Sequence, residues 1–345
     1  MYHFLEVLQP MSKVIAITGA SSGFGNLTAK ALAHAGHVVY AGMRDPSHGN
    51  PAAQELHAFA EKEGVDLRPV ELNVLSKDSL RPGVSKIIKE TGRIDVLIHN
   101  AGRMTFGPAE AFTPEQLAAE YDVNCIGTHR LNRVVLPHMR EAGKGFLVWV
   151  GSSSTRGGTT PFLGPYFAAK AAMDSLAVTY AGELSLWSIG TSIIVPGAYS
   201  KGTNHFAHAG SPNDKGILAA YEKGPYRGLD QRILAAYDEG PYRGLDQRIL
   251  AAYDEGPYRG LDQRILDGHI AVEPKGSDVH DVARAIVEVV SSPAGTRPFR
   301  LHVSTEADRS HLINPMADFA REQAMKDMGV GELLNVHRVT DAMER

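Results

Sequence analysis

The sequence predicts an α/β fold, a doubly wound parallel sheet built as a single domain. Three observations predict it: short runs of Val, Ile and Leu with little polar alternation, helical patterns between them, and a glycine-rich turn after the first run. Strands buried on both faces read as continuous apolar runs. Their regular alternation with helices implies right-handed crossovers. With 345 residues, 43% of them hydrophobic, the chain is long enough to bury a sizeable core.

The first strand is expected at 13–18, around Val14-Ile15-Ala16-Ile17. A helix at 23–35 follows, with Leu27, Ala31, Leu32 and Ala35 on its inner side and Gly36 as its stop. Further strands are read at 37–42, 67–72, 94–99, 145–151 and 190–195. The helices between them are placed near 51–63, 76–91, 113–141 and 165–188. A last helix (278–291) and strand (298–303) close the domain, which runs from 11 to about 305. Residues 306–345 form a tail whose helical stretches have no predicted place.

Two segments stand apart. Met1–Pro10 reads as an appendage without signal-peptide features, and Met11 is a candidate start residue. Residues 217–232 read ILAAYEKGPYRGLDQR, and 233–248 and 249–264 both read ILAAYDEGPYRGLDQR. This 16-residue period is expected as a helical repeat insertion within a substrate loop at 198–276. It is either an expansion tolerated at the surface, since loop length costs little closure entropy, or an enlarged lid or oligomer contact.

Composition excludes several classes. Lys and Arg number 35 against 39 Asp and Glu, a formal charge of −4, so there is no electrostatic case for a nucleic-acid or anionic-membrane partner. No apolar run approaches the ~20 residues of a membrane span. Cys125 is the single cysteine, which rules out an intrachain disulfide and a four-cysteine zinc site. A reducing cytoplasmic location and no metal are the expectation.

The turn after the first strand reads Thr18-Gly19-Ala20-Ser21-Ser22-Gly23-Phe24-Gly25. Gly19 suits a tight turn, Gly23 a close approach of backbone to pyrophosphate, and Gly25 close helix–strand packing. The helix N-terminus beyond offers free N–H groups to phosphates. This is a dinucleotide loop, or else a glycine-rich turn without a ligand. The second strand ends in Gly42, Met43 and Arg44 where an acid would bind the ribose of NAD. A guanidinium there favours NADP(H), with NAD(H) as the lesser option and Ser21 as a second phosphate contact. Arg44 on a plain solvated turn is the alternative.

Tyr166 and Lys170 share one face of a helix at i, i+4 spacing. Alone that spacing is uninformative. Its company is not: Ser153 ends the strand at 145–151, Asn100-Ala101-Gly102 ends that at 94–99, and Asn124 lies between them. The carboxyl ends of the strands line one crevice in such a sheet.

This combination resembles the short-chain dehydrogenase/reductase family in its compact branch, over about residues 11–305. The resemblance implies a Rossmann-type fold. It implies Asn124, Ser153, Tyr166 and Lys170 as a catalytic tetrad, with Ser154 as the alternative serine. It also implies cofactor contacts from Gly19, Ser21, Ser22, Gly23, Phe24 and Gly25. Arg44, Asn73, Val74, Asn100, Ala101, Gly102, Pro196 and Gly197 would complete them, together with Tyr166 and Lys170. The sequence departs from the family pattern at Asn73, where an Asp is usual, and at Lys201, with Thr203 two positions beyond. His99 stands where relatives carry Asn and is read as a packed strand-end residue.

The function implied is hydride transfer between a nicotinamide and a carbonyl or secondary alcohol. The small-molecule substrate is expected to be apolar, facing Met104, Phe106, Phe162, Tyr199 and Phe206. A homodimer or homotetramer is also implied. The alternative is a non-catalytic NADP-binding or scaffold protein that uses its repeat arm on a partner.

Overall fold

The computed structural model describes residues 12–47, 49–156, 161–197, 199, 203, 208–223, 278–303 and 310–336. The N-terminal appendage, Phe206, Lys201 and the repeats beyond residue 223 lie outside the described residues.

Seven parallel strands form one sheet in the order β3-β2-β1-β4-β5-β6-β7. They are β1 (Val14–Thr18), β2 (Val38–Met43), β3 (Leu67–Glu71), β4 (Val96–His99), β5 (Gly145–Val150), β6 (Ile189–Pro196) and β7 (Arg300–Val303). The apolar strand runs alternate between two cores, as a pleated strand demands. Ile15, Ile17, Val39 and Ala41 face one side with α1 (Gly23–His34), α2 (Pro51–Glu63) and α8 (His280–Ser291). Val14, Ala16, Tyr40 and Leu97 face the other with α3 (Lys77–Thr91), α5 (Gly127–Glu141) and α6 (Gly164–Ser185). This two-faced burial is what continuous apolar strands predict. Among the described residues no helix is long and apolar enough to cross a membrane.

Three details differ from the sequence reading. The buried face of α1 carries Thr28, Ala29, Leu32 and Ala33, whereas Ala35 is exposed. Small side chains there let the helix settle close to the sheet. Residues 94 and 95 precede β4, and Asp95 binds the Val14 N–H through its carboxylate at 2.8 Å. The expected helix at 113–141 is α4 (Pro114–Tyr121), a π-helical turn (Asp122–Ile126) and α5. A π turn adds one residue to a helical cycle and re-aims a side chain, often at functional sites. Here it turns Asn124 fully inward.

Two further helices flank the domain. Helix α7 (Lys215–Lys223) follows a segment stapled to the loop after β4: Phe106 donates to the Gly210 carbonyl at 2.9 Å, and Gly210 returns a bond to Met104 at 2.9 Å. Helix α9 (Ser310–Asp327) is a tail element that sequence patterning left unplaced.

Candidate active site

The strand order reverses between β1 and β4, so the loops leaving these neighbours open a crevice at their carboxyl ends. Thr18 Oγ1 accepts from the backbone N–H groups of Asn100 (3.1 Å) and Ala101 (3.0 Å). The Asn100 amide donates to the carbonyls of Thr18 (2.9 Å) and Gly19 (3.2 Å). The glycine turn and the Asn100-Ala101-Gly102 turn are therefore one rigid unit. Gly19 sits at φ +68°, where a Cβ would lie 2.7 Å from Ala101 Cα. At Gly25 a Cβ would lie 2.2 Å from the Gly19 carbonyl oxygen and 2.4 Å from Asn100 Nδ2. Neither neighbour is free to yield. Gly25→Ala is expected to destabilise the fold by about 1–3 kcal/mol, as overpacking does. The loss should show as a lower melting temperature by scanning fluorimetry.

Helices α2, α3 and α4 each begin with a side-chain cap, from Asn50, Ser76 and Thr113. Helix α1 does not: Ser22 makes no capping bond, and no acid lies in the first turn. Its N–H groups stay available to an anion. Ser21 and Ser22 are both exposed at this opening. Phe24 meets Tyr199 edge-on, ring centroids 5.5 Å apart, so the segment after β6 reaches back to the glycine turn. Gly197 continues the sheet by donating to Val303 at 3.1 Å, directly after Pro196.

The Ala20 N–H donates to the Gly42 carbonyl at 2.9 Å. That bond brings Ser21 to the end of β2, where Arg44 is exposed. Among the described residues the Arg44 guanidinium has no partner. Asn73 Oδ1 accepts from the Leu75 N–H at 3.1 Å, so its oxygen serves a local turn. Val74 packs on Gly127, where a Cβ would stand 2.9 Å away.

Across the crevice, Lys170 is 5% exposed, and its ammonium donates to the Val150 carbonyl at 3.0 Å. Burial pulls its pKa down to about 8, opposed by the Glu120 carboxylate. Tyr166 lies one turn earlier on the same face of α6. The 3-10 turn at Ser153–Thr155 packs against α6. Within it Ser152 Oγ and Ser154 Oγ bond each other at 2.6 Å. Among the described residues the Ser153 hydroxyl holds no partner, which separates it from its runner-up.

Asn124 is fully buried; its amide donates to the Arg103 carbonyl (3.0 Å) and to Glu120 Oε1 (3.0 Å), and its Oδ1 accepts from Arg103 N–H (3.3 Å). A Cβ on Gly102 would lie 2.7 Å from Asn124 Oδ1 and 3.5 Å from Lys170 Nζ. Gly102 is thus the thin wall over that pair. Glu120 and Arg103 were not singled out by sequence. In the stretch Glu115-Gln116-Leu117-Ala118-Ala119-Glu120 a second carboxylate reads as solvated, and only its i, i+4 spacing to Asn124 hinted otherwise. His99 is buried and bonds Asn132 at 2.8 Å, and burial lowers its pKa to about 4. It is a neutral packing residue.

The cradle fits a dinucleotide on its own geometry: two glycines that admit no Cβ, an uncapped helix start, and a buried ammonium opposite.

Comparison with known proteins agrees. Residues 13–212 match the sequence model of a family described as short chain dehydrogenase. A 3-ketodihydrosphingosine reductase of Bacteroides thetaiotaomicron is 35% identical over 195 residues, 56% of this chain and 66% of that protein. An estradiol 17-beta-dehydrogenase 1 of Rattus norvegicus is 35% identical over 190 residues, 54% of either chain. The chain thus spans less than two thirds of these relatives' length. A gluconate 5-dehydrogenase of Burkholderia cenocepacia, solved with NADP and tartrate, is 26% identical with a TM-score of 0.50 and covers 55% of this chain and 72% of its own.

Proposed function

The chain belongs to the short chain dehydrogenase family, and from that premise we propose that it is an NADP(H)-dependent oxidoreductase acting on a carbonyl or a secondary alcohol. One observation carries the reading. A buried ammonium, pinned to the end of β5, stands one helical turn from Tyr166 and behind the same wall as Asn124.

Bound nicotinamide dinucleotide supplies or takes up the hydride. The chain's residues do the rest. Tyr166 gives its phenolic proton to the carbonyl oxygen in reduction and takes one back in oxidation. Phenols ionise near pH ~10 in water, so an adjacent ammonium is needed to favour the phenolate. Lys170 fills that role. The Ser153 hydroxyl donates to the substrate oxygen as charge gathers there. Asn124 anchors the loop at Arg103 and sets the floor beneath Lys170.

Arg44 with Ser21 supports a preference for the 2′-phosphorylated cofactor. Arg44→Ala is expected to remove a charge-assisted bond worth about 1.5–3 kcal/mol, roughly 10- to 150-fold in kcat/KM for NADPH. Activity with NADH should barely move; equal losses with both would return Arg44 to the role of a solvated turn.

An apolar substrate is supported by the loop after β4. Phe106 and Phe162 stack with centroids 5.8 Å apart, and Met104, on the same loop, is buried. Phe162 holds φ +72°, an uncommon backbone state for an aromatic residue, braced by the Gly107 N–H at 2.8 Å. The relatives named for ketodihydrosphingosine and estradiol agree with that class. The family likeness also supports self-association as a dimer or tetramer. No observation favours the binding-only alternative. Incubation with NADPH and a panel of ketones graded in apolar size, and with NADP+ and the matching alcohols, tests the proposal. Oxidation of NADPH rising with apolar size is expected, and no turnover with any ketone or alcohol would overturn it.

A further inference from the structure

A carboxylate with no place in the mechanism above bonds Asn124, behind the same Gly102 wall as the central ammonium. Glu120 is fully buried at the end of α4. Two groups bond it: Arg103 from the loop after β4, at 2.9 Å, and the Asn124 amide from the π turn, at 3.0 Å. Lys170 of α6 lies beyond Asn124, its Nζ and the Asn124 Oδ1 both against Gly102, within range of the carboxylate's charge. Arg103 is 44% exposed and closes the cluster from the solvent side.

Burying a carboxylate costs several kcal/mol unless it is paired and hydrogen-bonded. A buried charge with a single surface partner would be a poor use of that cost. Two buried ionisable groups of opposite sign around one asparagine have a clearer physical consequence. Removing a Lys ammonium from water disfavours its charged form, and a nearby carboxylate restores it. Burial raises the Glu120 pKa in turn, held back first by Arg103.

We propose that Glu120 is a positioning residue of this site. Its carboxylate aims the Asn124 amide and supplies the counter-charge that keeps Lys170 an ammonium, while Arg103 keeps Glu120 ionised. The inference rests on the functional reading given above for its catalytic consequence, but its electrostatic core is readable without turnover.

The test is a pH titration of the full chain carrying 13Cε-labelled lysine, followed by NMR without ligand. Loss of one signal in Lys170→Met assigns the resonance. The wild-type signal is expected to titrate at about 8. In Glu120→Gln the midpoint should fall by about 1–3 units, the size of an opposite-charge effect at close range. Glu120→Asp, which keeps the charge but draws it back from the cluster, should move it the same way and by less; it carries the test if Glu120→Gln does not fold. In turnover, the alkaline limb of the kcat profile should shift to lower pH with KM for the ketone unchanged. A Lys170 midpoint that stays put in both variants overturns the proposal. A wild type that reduces no ketone overturns the functional reading instead, and leaves the titration to decide the role of Glu120.

Discussion

Tyr166→Phe removes one oxygen and is expected to lower kcat by about 10²–10⁴-fold, the usual worth of a positioned acid–base group. The ring stays, so its packing against Phe167, with centroids 6.0 Å apart, survives. Protein stability and NADPH affinity should therefore change little, as read by urea unfolding and by quenching of NADPH fluorescence. Lys170→Met is expected to behave differently. It deletes a buried charge that binds the Val150 carbonyl and lies within range of the Glu120 carboxylate's charge. It should cost turnover and stability together, because Glu120 loses a counter-charge and Val150 a donor. The contrast is informative. A Tyr166→Phe protein that keeps its rate would remove the phenol from the chemistry, whatever Lys170→Met does.

The parts of this molecule that were legible in the sequence are those whose physics is local. Strands β1 and β5 show as continuous apolar runs because both faces are covered. Gly19 and Gly25 show because a left-handed turn and a contact too close for any Cβ each demand glycine. Gly36, at φ +84°, stops α1 as its position suggested. What escaped is non-local or depends on register. The π turn at Asp122–Ile126 inserts one residue into an otherwise unbroken helical pattern, and nothing in the pattern marks it. Glu120 looks like one more surface carboxylate until Arg103, 17 positions away, closes over it. Helix α9 leaves Leu312, Met316 and Phe319 exposed, so its apolar period points away from the core it joins. Its attachment is largely polar, through Asp318, through Ser310 and Asn314 on His302, and through Arg321 over Phe299, and a hydrophobic reading has no view of it.

That attachment supports the second large effect. Arg300 on β7 is 4% exposed and bridges Asp174 of α6 (2.5 Å) and Asp318 of α9 (2.8 Å). Asp174, 2% exposed, also accepts from Arg156 at 3.0 Å, three residues beyond Ser153. The two Arg and two Asp cancel in charge, and they join the tail helix, the last strand, the helix bearing Tyr166 and the serine turn across up to 162 positions of sequence (156 to 318). Arg300→Met leaves the buried Asp174 with Arg156 as its one remaining ion-pair partner among the described residues and takes the closest cation from Asp318. The expected cost is about 3 kcal/mol, because a buried carboxylate that loses its closest partner is far worse than the pair was good. Exposed pairs set the contrast. Arg284 meets Asp278 at 3.0 Å with both side chains about half in water, and Arg284→Met should leave the unfolding midpoint unchanged. Adding Asp174→Leu and Asp318→Leu to Arg300→Met should recover part of the loss, since the buried carboxylates are then gone. Urea unfolding of the four proteins decides the matter. If Arg300→Met unfolds at the wild-type midpoint, water already reaches the cluster and α9 is held by something other than these charges.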